Sequence, residues 1–147
     1  MNKKIILLVE DNPTDEFLAK RALMKIQADY KVEVAHDGVE ALDYLFDQEG
    51  TSSRNERDLP EIILLDLKLP RINGLEVLKE IRSREKTRNL PVLVLTSSSE
   101  EGDIDACFQM GANSFTIKPI NSSRYMESVQ ELVHTWLSTS EGNGTQA

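Results

Sequence analysis

The sequence predicts a doubly wound α/β domain, a single parallel sheet with helices on both faces. Three observations carry that expectation. Short continuous apolar runs recur, such as Ile5 to Val9 and Ile62 to Leu65, without the polar alternation of a strand that faces water. Segments of helical period separate them, so strand and helix alternate five times along the chain. The 147 residues, 39% hydrophobic and 29% charged, suit one globular domain with one core.

Each element has a local reason. Ile5 to Val9 is the first strand. Asn12-Pro13-Thr14-Asp15 then starts a helix, with Asn12 as cap, Pro13 in the first turn and Asp15 near the positive end. Leu18, Ala19, Ala22, Leu23 and Ile26 give that helix one apolar face. Val32 to Ala35 is the second strand. Asp37 to Glu40 has the form of a capping box, ahead of a helix that buries Leu42, Leu45 and Phe46. Residues 49–60 turn polar and read as a loop, long for a compact domain. Ile62 to Leu65 is the third strand, and Leu75, Leu78 and Ile81 mark the third helix. Pro91 to Leu95 is the fourth strand, and a helix over Glu100 to Met110 stops at Gly111, a natural left-handed cap. Ser114 to Ile117 is the fifth strand. The last helix starts near Asn121 and carries Met126, Val129, Leu132, Val133 and Trp136 on one face. Residues 138–147, STSEGNGTQA, read as a disordered polar tail, which leaves a domain over 1–137 and no output module.

Charge and cysteine content narrow the function. A net charge of −8 argues against nucleic acid or an anionic membrane as partner. The basic residues from Lys79 to Arg88 alternate with acids, as on a solvated helix face. The single Cys107 has no internal disulfide partner and lies among Ala106, Phe108 and Met110, which favours packing over reactivity. The amino-terminal apolar run ends after Val9 and acids follow at once, so it is too short for a signal peptide. With no membrane-length segment, the expected location is the cytoplasm.

In a parallel sheet the ligand site lies beyond the carboxyl ends of the strands. There the sequence places Glu10 and Asp11 after the first strand, Asp66 after the third, Thr96 after the fourth and Lys118 after the fifth. Taken singly, each has a plain structural explanation as a cap, turn former, strand-end hydroxyl or surface charge. Jointly, three carboxylates on one rim repel unless a counter-ion joins them, and a hard divalent cation such as Mg²⁺ suits oxygen ligands. One carboxylate is then available as a nucleophile towards phosphorus, with a hydroxyl and an ammonium to hold phosphoryl oxygens.

Over about Lys4 to Leu137 the chain resembles the receiver domain of bacterial two-component response regulators. The likeness is carried by LLVEDNP, LLDLKLPRINGLEVL, LVLTSSS and FTIKP, in that order. It implies a flavodoxin-like (βα)5 sandwich with strand order 2-1-3-4-5. It further implies a phosphoprotein in which Asp66 accepts a phosphoryl group from a histidine kinase. Glu10, Asp11, Asp66 and the backbone carbonyl of Lys68 would surround Mg²⁺. Phe115 matches the switch aromatic that follows movement of Thr96, and Pro119 matches a proline commonly preceded by a cis peptide. The lack of an output module is similar to small regulators that partner phytochrome-type kinases. Such a protein acts by docking through its fourth helix, fifth strand and fifth helix, by homodimerising, or by relaying phosphoryl to a histidine phosphotransfer protein. Two positions depart from the family pattern. Glu10 stands where aspartate is usual, and Lys68 where a neutral polar residue is frequent, which marks Lys68 as a residue that tunes phosphoryl lifetime.

Three other classes fit the residues less well. A haloacid-dehalogenase-type phosphohydrolase needs a second acid two residues after its nucleophile, where this chain has Lys68. A flavodoxin-like cofactor binder needs a neutral phosphate loop after the first strand, where EDNPTDE stands. A degenerate receiver used only for docking is opposed by the intact set Glu10, Asp11, Asp66, Thr96 and Lys118.

Overall fold

The computed structural model describes residues 4–26, 30–46, 59–97 and 100–146, with side chains to residue 137. Five strands alternate with five helices: β1 (Lys4–Val9), α1 (Pro13–Met24), β2 (Tyr30–Ala35), α2 (Gly38–Phe46), β3 (Ile62–Leu65), α3 (Gly74–Ser83), β4 (Val92–Thr96), α4 (Glu101–Gln109), β5 (Ser114–Ile117) and α5 (Ser122–Gln146). The strands form one parallel sheet in the order β2-β1-β3-β4-β5, the flavodoxin-like arrangement the resemblance implied.

The sheet sorts its side chains by the two-residue period of a strand. Leu7, Val9, Ile63, Leu65, Val92 and Val94 face α2, α3 and α4, where they meet Ala41, Leu45, Val77, Leu78, Ile81 and Cys107. Ile6, Leu8, Ile62, Leu64, Leu93 and Leu95 face α1 and α5, against Ala19, Ala22, Leu23, Tyr125, Val129 and Val133. Because both faces are covered, the central strands are buried at every position of β3 and β4. That explains their unbroken apolar sequences. Each such Leu or Ile contributes about 1.5–3 kcal/mol by leaving water.

The helix starts are made as hydrogen bonds. Asn12 Oδ1 accepts from the amide of Asp15 at 2.9 Å, and Asn73 Oδ1 accepts from Glu76 at 3.0 Å. Asp37 Oδ1 accepts from the Glu40 amide, while the Glu40 carboxylate reaches back to the amide of His36, one residue beyond the expected box partner. Gly111 adopts φ 99°, the left-handed cap anticipated after α4.

One expectation is corrected, the cis peptide before Pro119. The helical backbone of α5 runs to Gln146. No proline interrupts it, and Gly142 and Gly144 lower helix propensity without removing a hydrogen-bond donor. The Lys118–Pro119 peptide is trans, since no described peptide bond is cis. Trans is the intrinsically lower isomer even before proline. Residues 49–58 of the polar loop lie outside the described residues. No described helix is long and apolar enough to cross a membrane.

Candidate functional site at the carboxyl edge of the sheet

Strand register brings the acids together. Val9 is level with Ala35 on one side and Leu65 on the other. The ladder continues one step further: the amide of Glu10 donates to Ala35 O at 2.9 Å, and that of Asp66 donates to Val9 O at 3.1 Å. Glu10 and Asp66 therefore leave adjacent strands at the same height. Both are buried, whereas Asp11 next door is exposed. One carboxylate oxygen from each of Glu10, Asp11 and Asp66 can be chosen so that all lie within 4.8 Å of one another.

Lys118 enters from the end of β5. Its own amide donates to Thr96 O at 2.8 Å, which continues the β4–β5 pairing and sets the direction of the side chain. The ammonium then reaches Glu10 Oε1 at 2.6 Å, Asp15 Oδ2 at 2.9 Å and Asp66 Oδ2 at 3.0 Å. Asp66 is thus held at both oxygens, because its Oδ1 accepts from the backbone amide of Lys68 at 3.1 Å.

The electrostatics reflect crowded acids in a dry place. Burial pushes the Glu10 carboxyl up to about 7, the hydrogen bond from Lys118 opposes that rise, and the neighbouring Asp66 charge adds to it. Burial works against the Lys118 ammonium, but the Asp66 charge and the bonds to Glu10 and Asp15 outweigh it and hold the amine above its ordinary value. Lys118 is charged at any physiological pH.

Of the sequence-predicted residues, the structure gathers Glu10, Asp11, Asp66 and Lys118 into one cluster. Thr96 is buried at the end of β4 on the same edge and is joined to Lys118 through its carbonyl. Lys68 has its amide against Asp66, with an exposed side chain. Phe115 lies level with Val94 on β5 and packs, partly buried, on the α2–α3–α4 side. Two participants were missed. Asp15 carries only a helix-start reading in the sequence, although from the first turn of α1 its carboxylate reaches Lys118 at 2.9 Å. Tyr125, from α5, is buried with its hydroxyl unpartnered. Burial is the main cause that raises that hydroxyl's pKa, and the charges of Lys118, Glu10, Asp15 and Asp66 all act on it.

The loop after Asp66 is fixed by close backbone approach. A Cβ on Gly74 would lie 2.4 Å from Asp66 O and 2.5 Å from Leu67 Cα, and one on Gly38 would lie 2.1 Å from Ile72 O. Arg71, at φ 68°, reaches Asp37 at 3.3 Å and ties this loop to the start of α2. Elsewhere, burial raises the Cys107 thiol to about 11, with Asp103 adding to it, so this cysteine is a packing residue.

A model of the response regulator receiver domain matches residues 6–130. The chain belongs to the response regulator receiver family. Response regulator Rcp1 of Synechocystis sp. is 36% identical over 136 residues, spanning 92% of this chain and 90% of Rcp1. Its Mn²⁺-bound crystal structure superposes with a TM-score of 0.83 at 35% identity, over 92% of this receiver and 96% of that chain. The phosphorylated cyanobacterial phytochrome response regulator RcpA gives a TM-score of 0.84 at 39% identity, over 94% and 96% of the two chains. The probable methanogenesis regulatory protein FilR2 of Methanothrix harundinacea is 39% identical over 140 residues, 95% of this chain and 88% of that protein. This receiver is a signalling protein of the two-component type. Its acidic cluster offers three hard oxygen donors at one point, the donor set a divalent cation takes.

Proposed function

We propose that this receiver is a phosphorylation switch in which Asp66 takes a phosphoryl group from the histidine of a kinase. The supporting observation is the setting of Asp66. It is buried at a strand end, held at both oxygens by Lys68 N and Lys118 Nζ, and close to Glu10 and Asp11. A carboxylate so fixed presents a lone pair along a defined direction, and positioning is most of what phosphoryl transfer needs. The Asp66 oxygen forms its bond to phosphorus as the phosphorus–nitrogen bond breaks, and the electron pair leaves with the imidazole. Lys118 donates to a phosphoryl oxygen as charge builds there, and the Thr96 hydroxyl, on the adjoining strand, is the second donor.

Glu10, Asp11, Asp66 and the Lys68 carbonyl would hold Mg²⁺, with Lys68 in reach because its amide already abuts Asp66. The ion supplies positive charge to the phosphoryl oxygens and relieves repulsion among the acids. Residues 1–137 form the receiver unit, and its expected location is the cytoplasm. A phytochrome-type kinase is the partner favoured by the likeness to Rcp1 and RcpA.

Output runs through α4, β5 and α5. Phe108, Met110, Ile117 and Ile120 are exposed there, and Ile117 ends the strand that carries Phe115. A two-state shift of Thr96 and Phe115 would change what this face offers to a docking partner, a second copy or a phosphotransfer protein. The test is phosphorylation of the full chain with Mg²⁺ and a phosphohistidine donor or a small acyl phosphate. Asp66→Asn is expected to abolish the acid-labile, hydroxylamine-sensitive label. Full stoichiometric label in that variant would refute the assignment.

A further inference from the structure

Asp15 stands outside the three carboxylates that can share a cation, yet it holds the same lysine. An ammonium has three N–H donors. Here all three have a carboxylate partner: Glu10 at 2.6 Å, Asp15 at 2.9 Å and Asp66 at 3.0 Å. Lys118 is therefore saturated before any phosphoryl group arrives. Phosphorylation turns one Asp66 oxygen into the bridging oxygen of an acyl phosphate, and a phosphoryl oxygen must then draw an N–H from an ammonium that Glu10 and Asp15 also hold.

The partners differ in how readily they can do so. Glu10 belongs to the cluster with Asp11 and Asp66 and has a second demand on its carboxylate. Asp15 has none of that duty. It is placed by the first turn of α1, where its amide is bonded to the Asn12 cap at 2.9 Å. Its side chain is partly exposed, against an almost wholly enclosed Lys118. Asp15 thus keeps its hold on the ammonium when Asp66 and Glu10 are otherwise engaged. It also adds negative charge near a group that carries up to about two more.

Building on the phosphoacceptor reading above, we infer that Asp15 is a positioning residue that competes with the phosphoryl group for Lys118. It draws the ammonium towards α1 and loosens its grip on the phosphorylated state. Asp15 thereby sets how tightly that state is held. The ordinary alternative is that Asp15 is only an acid near a positive helix end.

The test uses the full chain with saturating Mg²⁺ and beryllofluoride, a tetrahedral anion that stands in for the phosphoryl group on a carboxylate. Calorimetric titration compares the wild type, Asp15→Asn, Asp15→Ser and Asp66→Asn. A second readout needs neither Mg²⁺ nor the anion: the ¹⁵N resonance of the Lys118 side-chain ammonium. Asp15→Asn keeps the size of the side chain, and both Asp15 variants are expected to bind beryllofluoride about fivefold more tightly, the scale of a partly exposed ion pair. They are also expected to shift the Lys118 resonance. Unchanged or weaker binding overturns the inference, as does tighter binding with an unmoved Lys118 signal, because the effect would then bypass the lysine. If the wild type binds no better than Asp66→Asn, the phosphoacceptor reading itself falls and takes this one with it.

Discussion

Replacing Lys118 with methionine is the most revealing perturbation of the resting site. The substitution keeps most of the buried stem and removes only the ammonium, which contacts Glu10, Asp15 and Asp66 at 2.6–3.0 Å. Breaking a buried ion pair from one side costs on the order of 3–5 kcal/mol, because the surviving charge stays buried without a partner. Here the surviving charge has an escape. Glu10 already titrates at about 7 because it is buried, even with Lys118 pulling it down. Without Lys118 it rises further and takes up a proton.

The cost must therefore depend on pH, with a definite sign. A carboxyl whose folded pKa is raised contributes stability fully present below its unfolded value of 4.5 and lost as pH rises through the folded value. In the wild type that loss is complete near pH 7. In Lys118→Met it continues above pH 7 by about 1.4 kcal/mol per unit until the new value is reached. The gap between the two proteins should be smallest near pH 6, where Glu10 is neutral in both. It should widen by roughly 2 kcal/mol by pH 8.5. Urea denaturation in chelator at pH 6, 7 and 8.5 measures this directly. Mg²⁺ should restore more stability to the variant than to the wild type, since it replaces the missing positive charge. A gap that stays constant with pH would refute the account of Glu10 and Lys118 as one electrostatic unit.

Two further outcomes are expected. Gly74→Ala places a methyl group 2.4–2.5 Å from backbone atoms of Asp66 and Leu67, so the loop that carries the Lys68 carbonyl must move. A loss of about 1–3 kcal/mol in stability and at least a tenfold loss in Mg²⁺ affinity should follow, read by denaturation and Mg²⁺ titration. Lys68→Asn should shorten the lifetime of phosphorylated Asp66 several-fold at saturating Mg²⁺, because the exposed cationic chain beside Asp66 can block in-line water and pair with a phosphoryl oxygen. An unchanged or longer lifetime, measured by decay of label, would leave Lys68 an ordinary surface residue.

Most of the sheet was legible because burial on two faces leaves a signature in the strand itself. Ile62 to Leu65 contains no polar residue, and neither does Val92 to Leu95. The principal site residues were legible for a related reason. In a parallel sheet, the first polar residue after such a run lands on the rim, as Glu10 and Asp66 do. Residues that reach the site from a helix gave no such signal. Asp15 obeys the common preference for acids in a first helical turn, which hides its second role. Arg82 was masked by its setting in the sign-alternating run from Lys79 to Arg88. In the fold it turns inward, donating to the carbonyls of Gly111, Arg88 and Leu90 and to Asn113 Oδ1. That arginine joins the end of α3 to the turn before β5, a connection between distant segments that periodicity cannot express.

The same Lys118 that balances the acids also continues the β4–β5 pairing beside the face proposed for output, and this double membership would make a local charge event mechanical. Its side chain ends on Asp66, while its amide is bonded to Thr96 at the end of β4. Both contacts belong to one residue, so a change at Asp66 reaches the end of β4 through the Lys118 stem. The interior on either side is close-packed and yields by discrete rearrangement rather than by gradual strain. On the β5 side the nearest groups with room to move are Phe115, which is only partly buried, and Ile117, which is exposed. On the β1 and β3 side, Leu7 to Val9 and Ile62 to Leu65 are fully packed and offer none. On the proposed reading, a change in what Lys118 must balance at Asp66 would be relieved towards β5 and the helices beside it, with the rest of the sheet as the fixed wall against that movement.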